Sequence, residues 1–119
     1  MKVLRELKPN KGLAIALGFF DGIHIGHKKI LQALVQKARA KKMKTAVITF
    51  DTNPADYFNP MPTLNIQTFK DREILMSSLG IDYLYELDFA SIKDMSAEEY
   101  FEKVIIKYFA PKIVVAGYN

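Results

Sequence analysis

Two histidines three residues apart, His24 and His27, close a glycine-framed run, Gly18-Phe-Phe-Asp-Gly-Ile-His-Ile-Gly-His27. Gly18 and Gly22 carry no Cβ, so the backbone there can turn tightly and approach a ligand closely. Gly26 lets the first turn of a following helix pack against a bulky anion or a neighbouring strand. Backbone N–H groups at such a helix start lack internal partners and favour negative charge. His24 and His27 share one side of that opening turn. Two imidazoles so placed could donate hydrogen bonds to phosphate oxygens, stabilising charge that builds on phosphorus during transfer. Taken alone, the run points to an anion site and leaves the reaction undetermined.

Other chemistry stays open on the same residues. Two histidines at this spacing could ligate a metal, but the chain has no third His and no Cys, so a zinc site would need carboxylates. The run lacks the G-x-G-x-x-G spacing of dinucleotide folds and the G-x-x-x-x-G-K-[ST] of P-loops. Simple capping of a helix by Asp21, with incidental histidines, also stands.

The elements that must position this run alternate in type. Leu13–Gly18 is a short apolar run of the kind that forms a strand covered on both faces. Ile30, Leu31, Leu34, Val35 and Ala38 recur at helical spacing and predict an amphipathic helix over 25–41. Thr45–Phe50 predicts a second strand. Residues 51–68 hold three of the five prolines and form a long connection, usually a functional or disordered kind of segment. Thr68-x-x-Asp71 then opens a helix with Ile74, Leu75 and Leu79 inward, ending at Gly80. Asp82–Leu87 reads as a third strand. Ser96-x-x-Glu99 is a capping box before a helix with Tyr100, Phe101, Val104, Ile105 and Tyr108 inward, and Lys112–Ala116 reads as a fourth strand. The order β-α-β-α-β-α-β implies an α/β fold: an open, Rossmann-like parallel sheet of about four strands with flanking helices. Ligands in such sheets sit beyond the strands' carboxyl ends, where strand order reverses. Gly18–His27, Asp51–Pro54 and Gly117–Asn119 all converge on that rim.

Composition narrows the class further. At 119 residues, half of them hydrophobic, the chain can bury one core. The absence of cysteine excludes disulfides and thiol chemistry and suits a reducing, cytoplasmic setting. Leu13–Phe20 is long enough for the apolar region of a secretory signal, but Asp21-Gly22 follows at once without a small-x-small cleavage site. No apolar run approaches the ~18 residues of a membrane span. Residues 1–50 hold eleven Lys/Arg against Glu6 and Asp21, or +9, whereas residues 51–119 hold six against eleven acids, or −5. A basic half is compatible with a nucleotide triphosphate. Yet Lys37, Arg39, Lys41, Lys42 and Lys44 cluster where a helix should end and complement its dipole. Only Lys28 and Lys29 adjoin the motif.

The run carrying the histidines resembles the H-x-G-H signature of the nucleotidyltransferase superfamily. Its Phe-Asp-Gly-x-His form is similar to that of bacterial bifunctional riboflavin kinase/FAD synthetases. The likeness continues through Thr49-Phe50-Asp51 and Pro54, Leu79-Gly-Ile-Asp-Tyr-Leu84, Met95-Ser-Ala-Glu-Glu-Tyr-Phe101 and Val114-Val-Ala-Gly-Tyr-Asn119. This resemblance implies adenylyl transfer from ATP to FMN, giving FAD and pyrophosphate, with Mg²⁺ on the phosphates. It implies that His24 and His27 contact the ATP phosphates and the transition state. Gly18, Phe19, Phe20, Asp21, Gly22 and Gly26 would shape the ATP pocket. Asn53 and Asn119 would fall on the flavin side. The implied partners are small-molecule nucleotides and flavins, with neither nucleic acid nor membrane.

Two departures qualify these expectations. Thr52-Asn53 replaces the family's Pro-His, and Asn cannot be a cation. The chain also stops at Asn119, before the family's Ser-Ser-Thr-x-Ile-Arg motif and its riboflavin kinase barrel. A partial transferase domain over 1–119 is therefore expected, with little or no turnover by itself, no kinase activity, and self-association through uncovered apolar surface. A binding module without turnover, or a related transferase with another acceptor, are the alternatives.

Overall fold

A computed structural model describes residues 1–18, 20, 25–51 and 69–116 of the chain. Among these residues, five strands form one sheet: β1 (Lys2–Leu4), β2 (Ala14–Leu17), β3 (Thr45–Phe50), β4 (Tyr83–Leu87) and β5 (Ile113–Ala116). Their order is β1-β4-β3-β2-β5, and every neighbouring pair is parallel. The helices are α1 (Ile25–Ala40), α2 (Phe69–Ser78), α3 (Ala97–Tyr100) and α4 (Lys107–Phe109). A π-helical stretch, Phe101–Ile106, joins α3 to α4 without a break. The expected alternating architecture is present, with one addition. β1 pairs with β4 through Lys2↔Tyr83, Val3↔Leu84 and Leu4↔Tyr85, making five strands instead of about four. Three residues set among charges carry too little periodicity to announce an edge strand.

The sheet is covered on both faces. On one, α1 and α2 bury Leu31, Leu34, Val35, Ala38 and Met76 against Ala14, Ala16, Val47 and Leu84. On the other, Val104, Ile105 and Phe109 pack on Leu13, Ile15, Ala46, Ile48, Tyr85 and Leu87. Adjacent strand residues thus divide between the two cores, which is why the strands read as continuous apolar runs.

Three expected core positions face outward instead. Ile30 is 37% exposed, because the buried stripe of α1 is centred on Leu31, Leu34, Val35 and Ala38. Ile74 is 59% exposed because α2 turns Arg72 and Met76 to the sheet. Phe101 is 39% exposed, while Phe109 is wholly buried. The π-helical stretch brings Phe109 onto the buried face of Val104 and Ile105: the Lys107 N–H reaches the Glu102 carbonyl, five residues back. A wider turn rotates the helix face that follows it.

The helix ends follow local chemistry. The Ser96 hydroxyl accepts from the Glu99 N–H at 3.1 Å, as the capping box predicts. At the end of α2, Ile81 N–H bonds Met76 O and Gly80 N–H bonds Ser77 O. This is a Schellman motif, with Gly80 in the left-handed region at φ 90°. The end of α1 repeats it, with Met43 N–H on Ala38 O and Lys42 N–H on Arg39 O. There the left-handed residue is Lys42, at φ 56°.

The two caps predict opposite outcomes. Lys42→Gly relieves left-handed strain and should stabilise the fold by up to about 1 kcal/mol. Gly80→Ala should destabilise it by about 1 kcal/mol or more, because a side chain at φ 90° is strained; the Arg39 guanidinium, 2.5 Å from the added Cβ, must also move aside. Chemical denaturation of both variants against the native chain measures the two signs.

Candidate functional site

Strand order reverses at β2, with β3 and β4 on one side and β5 on the other. The crevice beyond the carboxyl ends of β2 and β5 is therefore the switch point of the sheet. Gly18 leaves β2 there, and its N–H donates to Ile48 O at 3.2 Å. Two residues on, Phe20 is 1% exposed and holds a left-handed backbone at φ 60°. A bulky side chain rarely adopts this conformation, which stores about 1–3 kcal/mol of strain. The Phe20 ring stands edge-on to the His27 imidazole, centroids 5.8 Å apart and planes at 80°.

His27 lies in the first turn of α1 and is only 8% exposed. Its burial follows from spacing. His27, Leu31, Leu34, Val35 and Ala38 form one stripe, so the imidazole faces the sheet at its carboxyl rim. Gly26 shares that turn. Gly18, Phe20, Gly26 and His27 are thus brought together at the end of β2. Phe20 contributes as a core residue packed beneath α1, through its backbone and its contact with His27. Phe19, Asp21, Gly22, His24, Asn53 and Asn119 lie outside the described residues.

Asp51 fastens the neighbouring strand ends. Its N–H donates to Leu87 O at 2.9 Å, and its Oδ1 accepts from the Phe89 N–H at 3.4 Å. Beside it lies a polar cluster that sequence reasoning missed. Thr49 and Glu86 are register partners on β3 and β4. Arg72, in the first turn of α2, places Nη2 2.8 Å from Glu86 Oε2 and 3.2 Å from Phe50 O, with Nη1 3.4 Å from Thr49 Oγ1. Arg72 and Glu86 are 2% and 1% exposed. The exposed Arg5 reaches Glu86 Oε1 at 3.4 Å. One signal could have revealed the pair: Glu86 is a lone charge inside an otherwise apolar strand, which demands a buried cation.

The basic cluster is remote from this rim. Lys37 and Arg39 occupy the last turn of α1, and Lys41, Lys42 and Lys44 follow it, exposed. Because α1 runs back from the carboxyl rim, these cations gather at the opposite edge of the sheet. Among the described residues, no group of three or more His, Cys, Asp or Glu could hold a metal ion. No helix among them is long and apolar enough to cross a membrane.

Comparison with known proteins places the site in context. The family described as FAD synthetase matches residues 6–119. A bifunctional riboflavin kinase/FMN adenylyltransferase of Listeria monocytogenes is 30% identical over 108 residues, covering 88% of this chain and 34% of its own. The protein of that name from Buchnera aphidicola is 27% identical over 98% of this chain and 39% of its own. That of Escherichia coli is 23% identical over 98% and 40%. The chain thus spans between 34% and 40% of the length of these curated relatives. A crystal structure named as a macrolide-efflux protein from Streptococcus pneumoniae superposes with a TM-score of 0.86 at 28% identity. It covers 100% of this chain and 49% of that one.

The cluster carries a pH signature. Burial, then a hydrogen bond with Glu86 and repulsion by its charge, push the Glu73 carboxyl above its ordinary 4.5, against Arg5 and Arg72. A carboxyl raised on folding stabilises the fold while protonated, and that contribution is lost as pH rises through the folded value. Glu73→Gln should therefore raise the thermal midpoint at pH 7. The gain should vanish as pH falls below 4.5. Melting curves across that range measure it; a gain independent of pH would contradict the assignment.

Proposed function

The chain belongs to the FAD synthetase family, and we propose that it carries the transfer of an adenylyl group from ATP to FMN, giving FAD and pyrophosphate. The observation that carries this proposal is the buried His27 in the first turn of α1, beside Gly18 at the switch point. A helix N-terminus at the carboxyl rim favours phosphate.

The chemistry asks little covalent help of the protein. An oxygen of the FMN phosphate attacks the α-phosphorus in line and forms the new P–O bond. The bond from that phosphorus to the bridging oxygen breaks, and pyrophosphate leaves with the electron pair. A phosphate monoester is already ionised near neutral pH, so no general base is needed. Positioning and charge stabilisation do the rest. In this proposal His27 and His24 donate hydrogen bonds to the ATP phosphates, and Gly18–Gly22 with Gly26 give the backbone room. Asn53 and Asn119 serve the flavin side. Mg²⁺ would accompany ATP as its counter-ion and would neutralise charge on the phosphates. The family match and the later sequence blocks favour FMN over other acceptors.

His27→Ala should lower ATP affinity in titration calorimetry by about tenfold or more. In a full-length protein carrying this domain, FAD formation should fall by about 10²–10³ relative to the unsubstituted protein. His27→Gln, which keeps a donor, should lose less. Unchanged ATP binding by a folded His27→Ala chain would sink the proposal.

A further inference from the structure

Among the described residues, the buried polar side chains are Thr45, His27, Thr49, Arg72 and Glu86. Thr45 bonds Asp82 at the amino edge of the sheet. The other four gather at the carboxyl rim, on the face covered by α1 and α2. Below them that face is apolar: Met76, one turn along α2 from Arg72, is fully buried against Leu84 and its neighbours.

Stability does not explain this choice. A buried ion pair replaced by apolar residues of similar volume is often neutral or more stable. What an apolar pair cannot do is grip a strand-end carbonyl. The planar guanidinium of Arg72 addresses three acceptors at once: a carboxylate on β4, a hydroxyl on β3 and the carbonyl of Phe50, the last residue of β3. Phe50 is where the chain leaves β3, and Arg72 lies in the first turn of the helix by which it returns. One side chain thus fixes the exit and the return of that connection relative to each other.

We infer that Arg72, held by Glu86, is a positioning residue for the acceptor flavin: it sets the rim over β3 and α2 against which FMN docks beside the phosphate turn. This rests on the adenylyl-transfer proposal. In-line displacement needs the nucleophile opposite the departing pyrophosphate. The rim of β3 is the immediate neighbour of β2 beneath α1 and α2, so its placement governs the approach of the acceptor. Small errors of placement there carry large costs.

The test is the double substitution Arg72→Met/Glu86→Leu in the 119-residue chain, which keeps the core apolar and removes the grip. The thermal midpoint should hold or rise. FMN affinity by calorimetry should fall by roughly tenfold or more, with ATP affinity changed by less than about twofold. Hydrogen exchange should quicken at the Asp51 amide and at residues 70–73 while α1 keeps its protection. Glu86→Gln, which still accepts from Arg72, gives a smaller change in the same direction and serves if the double variant does not fold. Native FMN affinity in the double variant, or equal losses for ATP and FMN, overturns the inference. If the native chain binds no FMN, the adenylyl-transfer proposal fails instead. Exchange then decides alone: unchanged protection at Asp51 and 70–73 overturns the role of Arg72.

Discussion

Parallel pairing is the constraint from which the rest of the molecule follows. A parallel neighbour can be reached only by a crossover, so each strand that ends at the carboxyl rim sends the chain back across a face. Strand exits and helix starts therefore share one rim. From β2 the chain advances to β3 and β4, with α1 and α2 on one face. It then returns over the other face to place β5 on the far side of β2. That reversal makes the carboxyl ends of β2 and β5 the switch point of the sheet. Gly18 stands at that switch point because it follows β2, the strand at which direction changes.

The rim differs in chemistry from the layers beneath it. Along the face under α1 and α2, the strands bury Ala14, Ala16, Val47 and Leu84, all apolar. One step further toward the carboxyl end, the same face carries Gly18, Thr49 and Glu86. Arg72 descends on this row from α2, and His27 closes its other end from α1. For His27, burial and placement at the rim are the same fact. The periodicity that buries Leu31 and Leu34 also aims the imidazole at the rim, and the strained backbone of Phe20 presses a ring edge against it. Strain of this kind persists where the surrounding packing over-determines it.

Much of this was legible in the sequence, for identifiable reasons. β3 and α1 were readable because their residues agree on one period and their ends carry local signals. The end of α2 at Gly80 was readable because a left-handed position there selects glycine. What escaped involved tertiary pairing. β1 is too short for a pattern and exists because β4 offers it an edge. Ile74 looked like core because Arg72, the residue that faces the core, is charged. Its partner Glu86 lies fourteen positions away on another element. The phase of the last helix depends on a π-turn that side-chain spacing does not encode. At the candidate site, the glycines and histidines were visible as types at a spacing. The contact of Phe20 with His27 needed the fold.

The charge distribution shows why the net charge of the first half is a poor guide to the ligand. The five cations after the middle of α1 sit at its far end, and a helix rises 1.5 Å per residue, which puts them roughly 15–25 Å from His27. The Debye length at physiological salt is about 8 Å. Two or three such lengths leave little of their field at the rim. Arg72, though at the rim, is balanced by Glu86 at 2.8 Å. On the proposed function, what would attract an anion there is local: the helix N-terminus that begins α1, the His27 imidazole and the adjoining Lys28 and Lys29. Selectivity in such a site comes from geometry more than from charge. In the proposed adenylyl transfer, the arms that fix the geometry, Phe20 on one side and Arg72 on the other, would therefore matter as much as the groups that touch phosphate.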